Sequence, residues 1–154
     1  MSNLWGEKMS VYLDDNYNAY GCCGNRNTRT SIDSEVIVVG DCPLVHEQFS
    51  ISLVKPRTLA PREDVIYRAN GFYNCIGGGG AINPYGTIIV RNFSTVPVSF
   101  DVIGVLGTTT MIVQPNSEVA LTLNSISEVN VNLPTDPVRL LFLFDIFYPA
   151  NPAV

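Results

Sequence analysis

Gly21-Cys22-Cys23-Gly24 sets two adjacent thiols at the end of a polar, Tyr- and Asn-rich N-terminal stretch, just ahead of the first run able to form a strand. Two more cysteines follow, Cys42 and Cys75, and the one histidine, His46, stands four residues after Cys42. Neighbouring cysteines rarely close a disulfide on each other, because so small a ring strains both the peptide and the bond. The pair is better suited to reaching two separate partners, on the body of the chain or on a neighbouring chain. The plain alternative is two free thiols in a flexible tail. Cys42 and His46 have the residue types of a nucleophile and its base, but such a pair must meet in space with a third, orienting group. Nothing in the sequence points to that group, and a strand-end histidine exposed to solvent is the simpler expectation. Cys22, Cys23, Cys42 and His46 also have the ligand types that zinc takes, yet adjacent cysteines make poor joint ligands and the spacing fits no zinc knuckle. No catalytic residue, metal or cofactor is therefore predicted. What remains is a set of thiols on arm and body that can cross-link subunits once the surroundings turn oxidising, with Cys22, Cys23, Cys42 and Cys75 as the candidates.

Other charged groups carry less. Glu63-Asp64 and Asp14-Asp15 are carboxylate pairs whose members point apart on a strand or loop, so solvated charge is expected of both. Lys55, Arg57 and Arg62 make a small basic patch around two prolines, expected on a surface loop. Gly77-Gly78-Gly79-Gly80 lacks a following helix or a Lys-Ser/Thr pair, so it reads as a pliable loop and not as a phosphate cradle.

The elements that position these residues are those of one domain, since 154 residues are enough to bury most of a single core. Charged residues are only 15 % against 46 % hydrophobic, low for a surface that faces water all round. Part of the surface is thus expected to be covered by another subunit. Nine basic residues against fourteen acidic give a net charge of −5, and the basic ones are scattered, which argues against nucleic acid. The N-terminus lacks the charged-then-apolar pattern of a secretory leader. The longest apolar run, 138–148, is interrupted by Arg139 and Asp145 and is too short to span a bilayer. Neither a membrane nor a nucleic acid is an expected partner, and synthesis in the cytoplasm with thiols initially reduced is expected.

Residues 1–33 show no sustained period and read as a connector arm, extended or disordered until docked. From residue 34 the pattern becomes short β-rich runs between turns, and 34–154 is read as the body. Val98, Phe100 and Val102 alternate with Ser99 and Asp101; Val119, Leu121 and Leu123 alternate with Ala120 and Thr122; Val129, Val131 and Leu133 alternate with Asn130 and Asn132. One apolar and one polar face per run is the signature of stacked antiparallel sheets. Gln114-Pro115-Asn116-Ser117 reads as a type I or II turn. The last run breaks the rule: Leu140, Phe142, Phe144, Ile146 and Tyr148 are apolar, and so are Leu141, Leu143 and Phe147 between them. One set can enter the core, leaving Leu141, Leu143 and Phe147 for a loop, an arm or a neighbouring subunit. The predicted fold is an all-β, antiparallel jelly-roll sandwich of about eight strands behind an extended arm.

The arm with Cys-Cys, the Val38-Val39-Gly40-Asp41-Cys42 segment closing the first strand, Gly86-Thr87-Ile88-Ile89-Val90, Val96-Pro97-Val98-Ser99-Phe100, Val113-Gln114-Pro115-Asn116-Ser117 and the apolar last strand together resemble the endospore appendage (Ena) family, pilus-like fibre subunits of Bacillus-type spores. The resemblance runs over nearly the whole chain from Gly21, and its most specific part is the cysteine layout with the strand order. It implies a jelly-roll body with an N-terminal connector whose cysteines bond body cysteines of other subunits, Cys22 and Cys23 matching the connector pair and Cys42 the acceptor on the first strand. The family's second acceptor lies in the last strand, where this chain has no cysteine, and the stretch before Cys22 is longer than in the major fibre subunits. Both departures suit a minor member that forms a ring, base or cap joined to the fibre or to spore coat proteins.

The expected function is that of a non-enzymatic structural subunit that self-assembles into a ring or fibre and ends on the spore surface, after synthesis in the mother cell. A jelly-roll binding module, lectin-like or a trimeric adhesive domain using the loop 71–84, is the alternative. A small thiol enzyme or metal protein around Cys42 and His46 is a third.

Overall fold

A computed structural model describes residues 26–39, 42–57, 60–69, 72–73 and 81–149. Among the described residues there is no helix, and the strands are β1 (Arg26–Val39), β2 (Cys42–Lys55), β3 (Arg62–Arg68), β4 (Phe72–Tyr73), β5 (Ala81–Ile82), β6 (Tyr85–Asn92), β7 (Val98–Gly104), β8 (Gly107–Val113), β9 (Ser117–Leu123), β10 (Glu128–Leu133) and β11 (Val138–Pro149). They form a five-stranded sheet in the order β1-β2-β11-β6-β9, a four-stranded sheet in the order β3-β10-β7-β8, and the short pair β4-β5. Every pairing is antiparallel. This is the jelly-roll sandwich that the alternating runs predict.

The core lies where the apolar phases of the two sheets meet. Phe49, Ile51 and Leu53 of β2, Leu140, Phe142, Phe144 and Ile146 of β11, and Ile88 and Val90 of β6 face Val98, Phe100 and Val102 of β7 and Val129, Val131 and Leu133 of β10, all buried. Phe49 and Phe144 stack at 4.6 Å, Tyr67 tilts against both, and Phe100 meets Phe142 edge-on at 5.9 Å. These are the offset and edge-to-face arrangements that aromatic quadrupoles favour.

The registers define two poles. At the lower pole Arg26 faces Val54, Val138 faces Lys55 and Asn92 faces Ser117. At the upper pole Val39 faces Cys42, Phe147 faces Tyr85 and Gly86 faces Leu123. Asn92 closes the lower pole by donating to the carbonyls of Val96 and Val113. The upper pole is joined by Ile126 N–H to Pro84 O and Ser127 N–H to Ile103 O, each at 2.7 Å. The Gln114–Ser117 turn is of the type II kind, since Asn116 at its third position has φ 54° and Ser117 N–H returns to Gln114 O. Gly86 is required: its φ is 147°, and an added Cβ would sit 2.1 Å from the Asp145 carbonyl oxygen.

Four expectations need correcting. Residues 26–33, placed in the arm, belong to β1, which begins at Arg26. An edge strand needs little apolar alternation, and the polar run 26–31 gave no periodic signal. Cys42 opens β2; it does not close β1. His46 is in mid-strand with its side chain 20 % exposed, not at an exposed strand end. Lys55, expected on a surface loop, is buried, its ammonium donating to the carbonyls of Pro134 and Asp136, as a buried amine must.

Candidate functional site

The sequence directs attention to the arm, the cysteines and the last strand, and the structure joins the first two through β1. Among the described residues this strand is at the edge of the five-stranded sheet, paired with β2 alone. The N-terminal stretch bearing Cys22 and Cys23 is continuous with its lower end. Cys42 is at the upper end of the same hairpin. Cys22, Cys23 and Cys75 lie outside the described residues.

Strand β1 is anchored on both faces of the sheet. On the inner face Arg29 forms a 2.6 Å ion pair with Glu47 and lays its guanidinium 4.0 Å from the centre of the Phe49 ring. Glu47 is buried and its other oxygen accepts the Tyr148 hydroxyl at 2.8 Å. Burial pushes the Tyr67 phenol up to about 12, with the Glu47 charge adding and Arg29 partly offsetting it. Tyr148 moves the same way from burial, the Glu47 charge and its bond to Glu47. Both phenols stay neutral beside the Arg29–Glu47 pair.

On the outer face His46 of β2 bridges two strands. Its Nδ1 is 3.0 Å from Glu35 Oε1 on β1, and its Nε2 makes a short contact with Asp145 on β11. The imidazole stacks on Phe147 at 4.3 Å and 7°, and Phe147 stacks in turn on Tyr85 at 5.6 Å. Partial burial would lower the His46 pKa, but the hydrogen bonds and charges of Glu35 and Asp145 outweigh it, so the pKa is raised above 6.5. The two carboxylates take opposite edges of the ring and do not converge on a common point. Among the described residues no group of three or more His, Cys, Asp or Glu is placed to hold a metal.

Cys42 and His46 are both on β2, four residues and about 13 Å apart between Cα atoms, and both nitrogens of the His46 ring face carboxylates. Glu63 and Asp64 point apart as expected but are not simply solvated, Glu63 accepting from Asn130 and Asp64 pairing with Arg62 at 3.0 Å.

Leu141, Leu143 and Phe147 occupy the outer face of β11, half-buried in the isolated chain. Leu141 is flanked by Ser52 and Arg91, and Leu143 by Ser50 and Ile89. Beyond them Arg91 pairs with Glu118 of β9, and Val54 at the end of β2 is 46 % exposed. Phe147 is covered in part by His46 and Tyr85, so the cover considered within the chain exists for one of the three residues. At the upper pole the β7–β8 turn presents Val105 at 78 % and Leu106 at 97 % exposure, beside a groove of about 320 Å³ that also includes Leu123 and Ser125. The loop 71–84 proposed for a binding module lies largely outside the described residues.

No protein-family model and no curated protein matches the chain. Solved structures do. One, described as "Bacillus endospore appendages form a novel family of disulfide-linked pili", superposes with a TM-score of 0.54 at 19 % identity, over 75 % of this chain and 96 % of that one. A cupin domain from Bordetella pertussis Tohama I aligns at 11 % identity over 75 % of this chain and 92 % of its own, with a TM-score of 0.35. A Lactobacillus farciminis oxalate decarboxylase in complex with formate aligns at 10 % identity over 84 % and 34 %, with a TM-score of 0.38. No helix among the described residues is long and apolar enough to cross a membrane. In its jelly-roll body this chain has the fold of the Bacillus endospore appendage structure.

Proposed function

We propose that the chain is a non-enzymatic structural subunit of a spore appendage, assembling with copies of itself into a ring or pilus-like fibre in which arm cysteines cross-link neighbours. The supporting observation is the polarity of β1. Cys42 and Val54 are twelve residues apart along β2, and Val54 faces Arg26. At about 3.3 Å per residue this puts some 40 Å between Cys42 and the start of β1. Cys22 and Cys23 precede Arg26 by four and three residues, a reach of about 14 Å at most. A disulfide needs Cα atoms within about 7 Å. Arm and acceptor within one chain therefore fall short by about half the distance. A neighbour stacked below the lower pole brings its own Cys42 toward the arm. Such head-to-tail contacts are heterologous, and they close into rings or run on as helical fibres according to the rotation between copies.

The exposed Val105 and Leu106 at the upper pole and the outer row Leu141, Leu143 and Phe147 are the further surfaces for contact between copies, and spore coat proteins or other appendage subunits are partners of the same kind. Interchain disulfides make dissociation a covalent event and give resistance to heat and denaturant. The setting is synthesis in the mother cell and deposition on the spore surface.

Negative-stain microscopy and non-reducing gels on oxidised protein test the proposal. Rings or filaments and a ladder of covalent multimers are expected, with the ladder lost in the Cys22→Ser/Cys23→Ser variant while its circular dichroism is kept. Uniform small particles and an unchanged ladder in that variant would reject the connector role.

A further inference from the structure

We propose that His46 is a protonation-dependent latch that holds the half of the edge strand β1 around Glu35 to the body of the sandwich. The inference rests on hydrogen-bond chemistry at one ring. Both partners of His46, Glu35 and Asp145, are carboxylates, and an ionised carboxylate only accepts. A neutral imidazole has one N–H and one bare lone pair, so it can donate to one partner while its lone pair faces the oxygen of the other. Only the imidazolium, a donor at both nitrogens, satisfies both at once.

The placement turns this into control of a strand. Glu35 is on β1, His46 on β2 and Asp145 on β11, so the cation ties the edge strand through its neighbour to the third strand of the sheet. Around the ring the charged groups are Glu35 from β1 and Asp145 from β11. Asp33 lies next along β1, opposite Gln48, and β6 contributes the uncharged Thr87 and Tyr85 opposite Asp145 and Phe147. The Phe147 ring stacked at 4.3 Å fixes the plane of the imidazole, so it cannot swing away to solvate its lone pair without losing that contact. On loss of the proton to solvent one of the two bonds is lost and two carboxylates remain with no cation between them. The raised pKa gives the sign: the latch contributes in full below about pH 6.5, the unfolded value, and fades as pH rises through the higher folded value. The inner anchor, Arg29 with Glu47, ties β1 at its lower half, so loosening is expected in the half of the hairpin around Glu35. The latch does not depend on the assembly reading.

Because the chain has one histidine, a proton NMR titration of its ring reads this site alone. In the full-length chain the midpoint is expected above 6.5 and is lowered in both Glu35→Gln and Asp145→Asn. Amide exchange, corrected for its intrinsic pH dependence, gives the strand readout. Protection of the β1 amides near Glu35 is expected to fall about fivefold relative to β10 as pH passes the midpoint, the scale of one partly exposed ion pair. In His46→Gln that protection is low at every pH while β10 is unchanged. A midpoint at or below 6.5, β1 protection that tracks β10 across the titration, or wild-type β1 protection in His46→Gln would each overturn the latch.

Discussion

On the four-stranded sheet the outward side chains are tied to one another. Asn132 donates to Ser99 and to Asp101, Asp101 also accepts from Thr110, and Asn130 donates to Glu63. The apolar exceptions, Val65 and Ile112, stand apart on the two edge strands. On the five-stranded sheet the outward row at the centre is Leu141, Leu143 and Phe147, with Ile89 beside Leu143 on the next strand. The first surface ties most of its polar side chains to one another, although the buried Asn130 Oδ1 has no hydrogen-bond partner among the described residues. The second presents Leu141 and Leu143 with Ile89, edged by hydroxyls and an ion pair, and beyond Asp145 the ring of Phe147, apolar groups of the kind that gather at interaction surfaces. The two sheets of the sandwich thus differ in what lies outside.

The sharpest way to break that contrast is within β11, where adjacent residues face opposite ways. Phe144 is buried between Phe49 and Tyr67, and Phe144→Ala should cost about 3–5 kcal/mol, a transfer loss plus a cavity, read as a lower denaturant midpoint. Leu143→Asp, one residue away, should cost about 1 kcal/mol or less, as substitutions outside the core do. Its expected effect is on assembly: smaller particles by light scattering with unchanged circular dichroism. If Leu143→Asp unfolds the chain, the outer face is core and the contrast fails. If particles keep their size, the outer row is not a subunit contact.

Much of this was legible in the residues, because a strand with one wet face writes its period into the sequence. Val98, Phe100 and Val102, or Val129, Val131 and Leu133, could be assigned to the core from alternation alone, and all are buried. The doubled apolar pattern of the last strand likewise marked a second apolar face, and Leu141, Leu143 and Phe147 are half-buried there while the alternate residues fill the core. What stayed hidden depended on contacts distant in sequence. Nothing near Arg29 says that it pairs with Glu47, eighteen residues on, or that Asp145, ninety-nine residues beyond His46, completes the outer bridge. Lys55 was misplaced for the same reason, since its acceptors are carbonyls at 134 and 136. The start of β1 was missed because an edge strand secured by ion pairs carries no apolar period, and the two cysteines before it give no hint of where the strand begins.

The smallest expected effect tests the other side of the comparison. Asn132→Ala removes the donor that joins Ser99 and Asp101 across β10 and β7, at 3.2 and 3.0 Å. Asp101 keeps its bond from Thr110, and the half-exposed site admits water to replace what is lost, so the cost should be about 1 kcal/mol in chemical denaturation. Particle size should not change at all. On the polar face the expected loss is a little stability, whereas on the apolar row around Leu143 the expected loss is assembly. If Asn132→Ala instead shrinks the assembly as Leu143→Asp is expected to, then both outer faces meet other copies, and the polar ladder is part of a contact and not a solvated exterior.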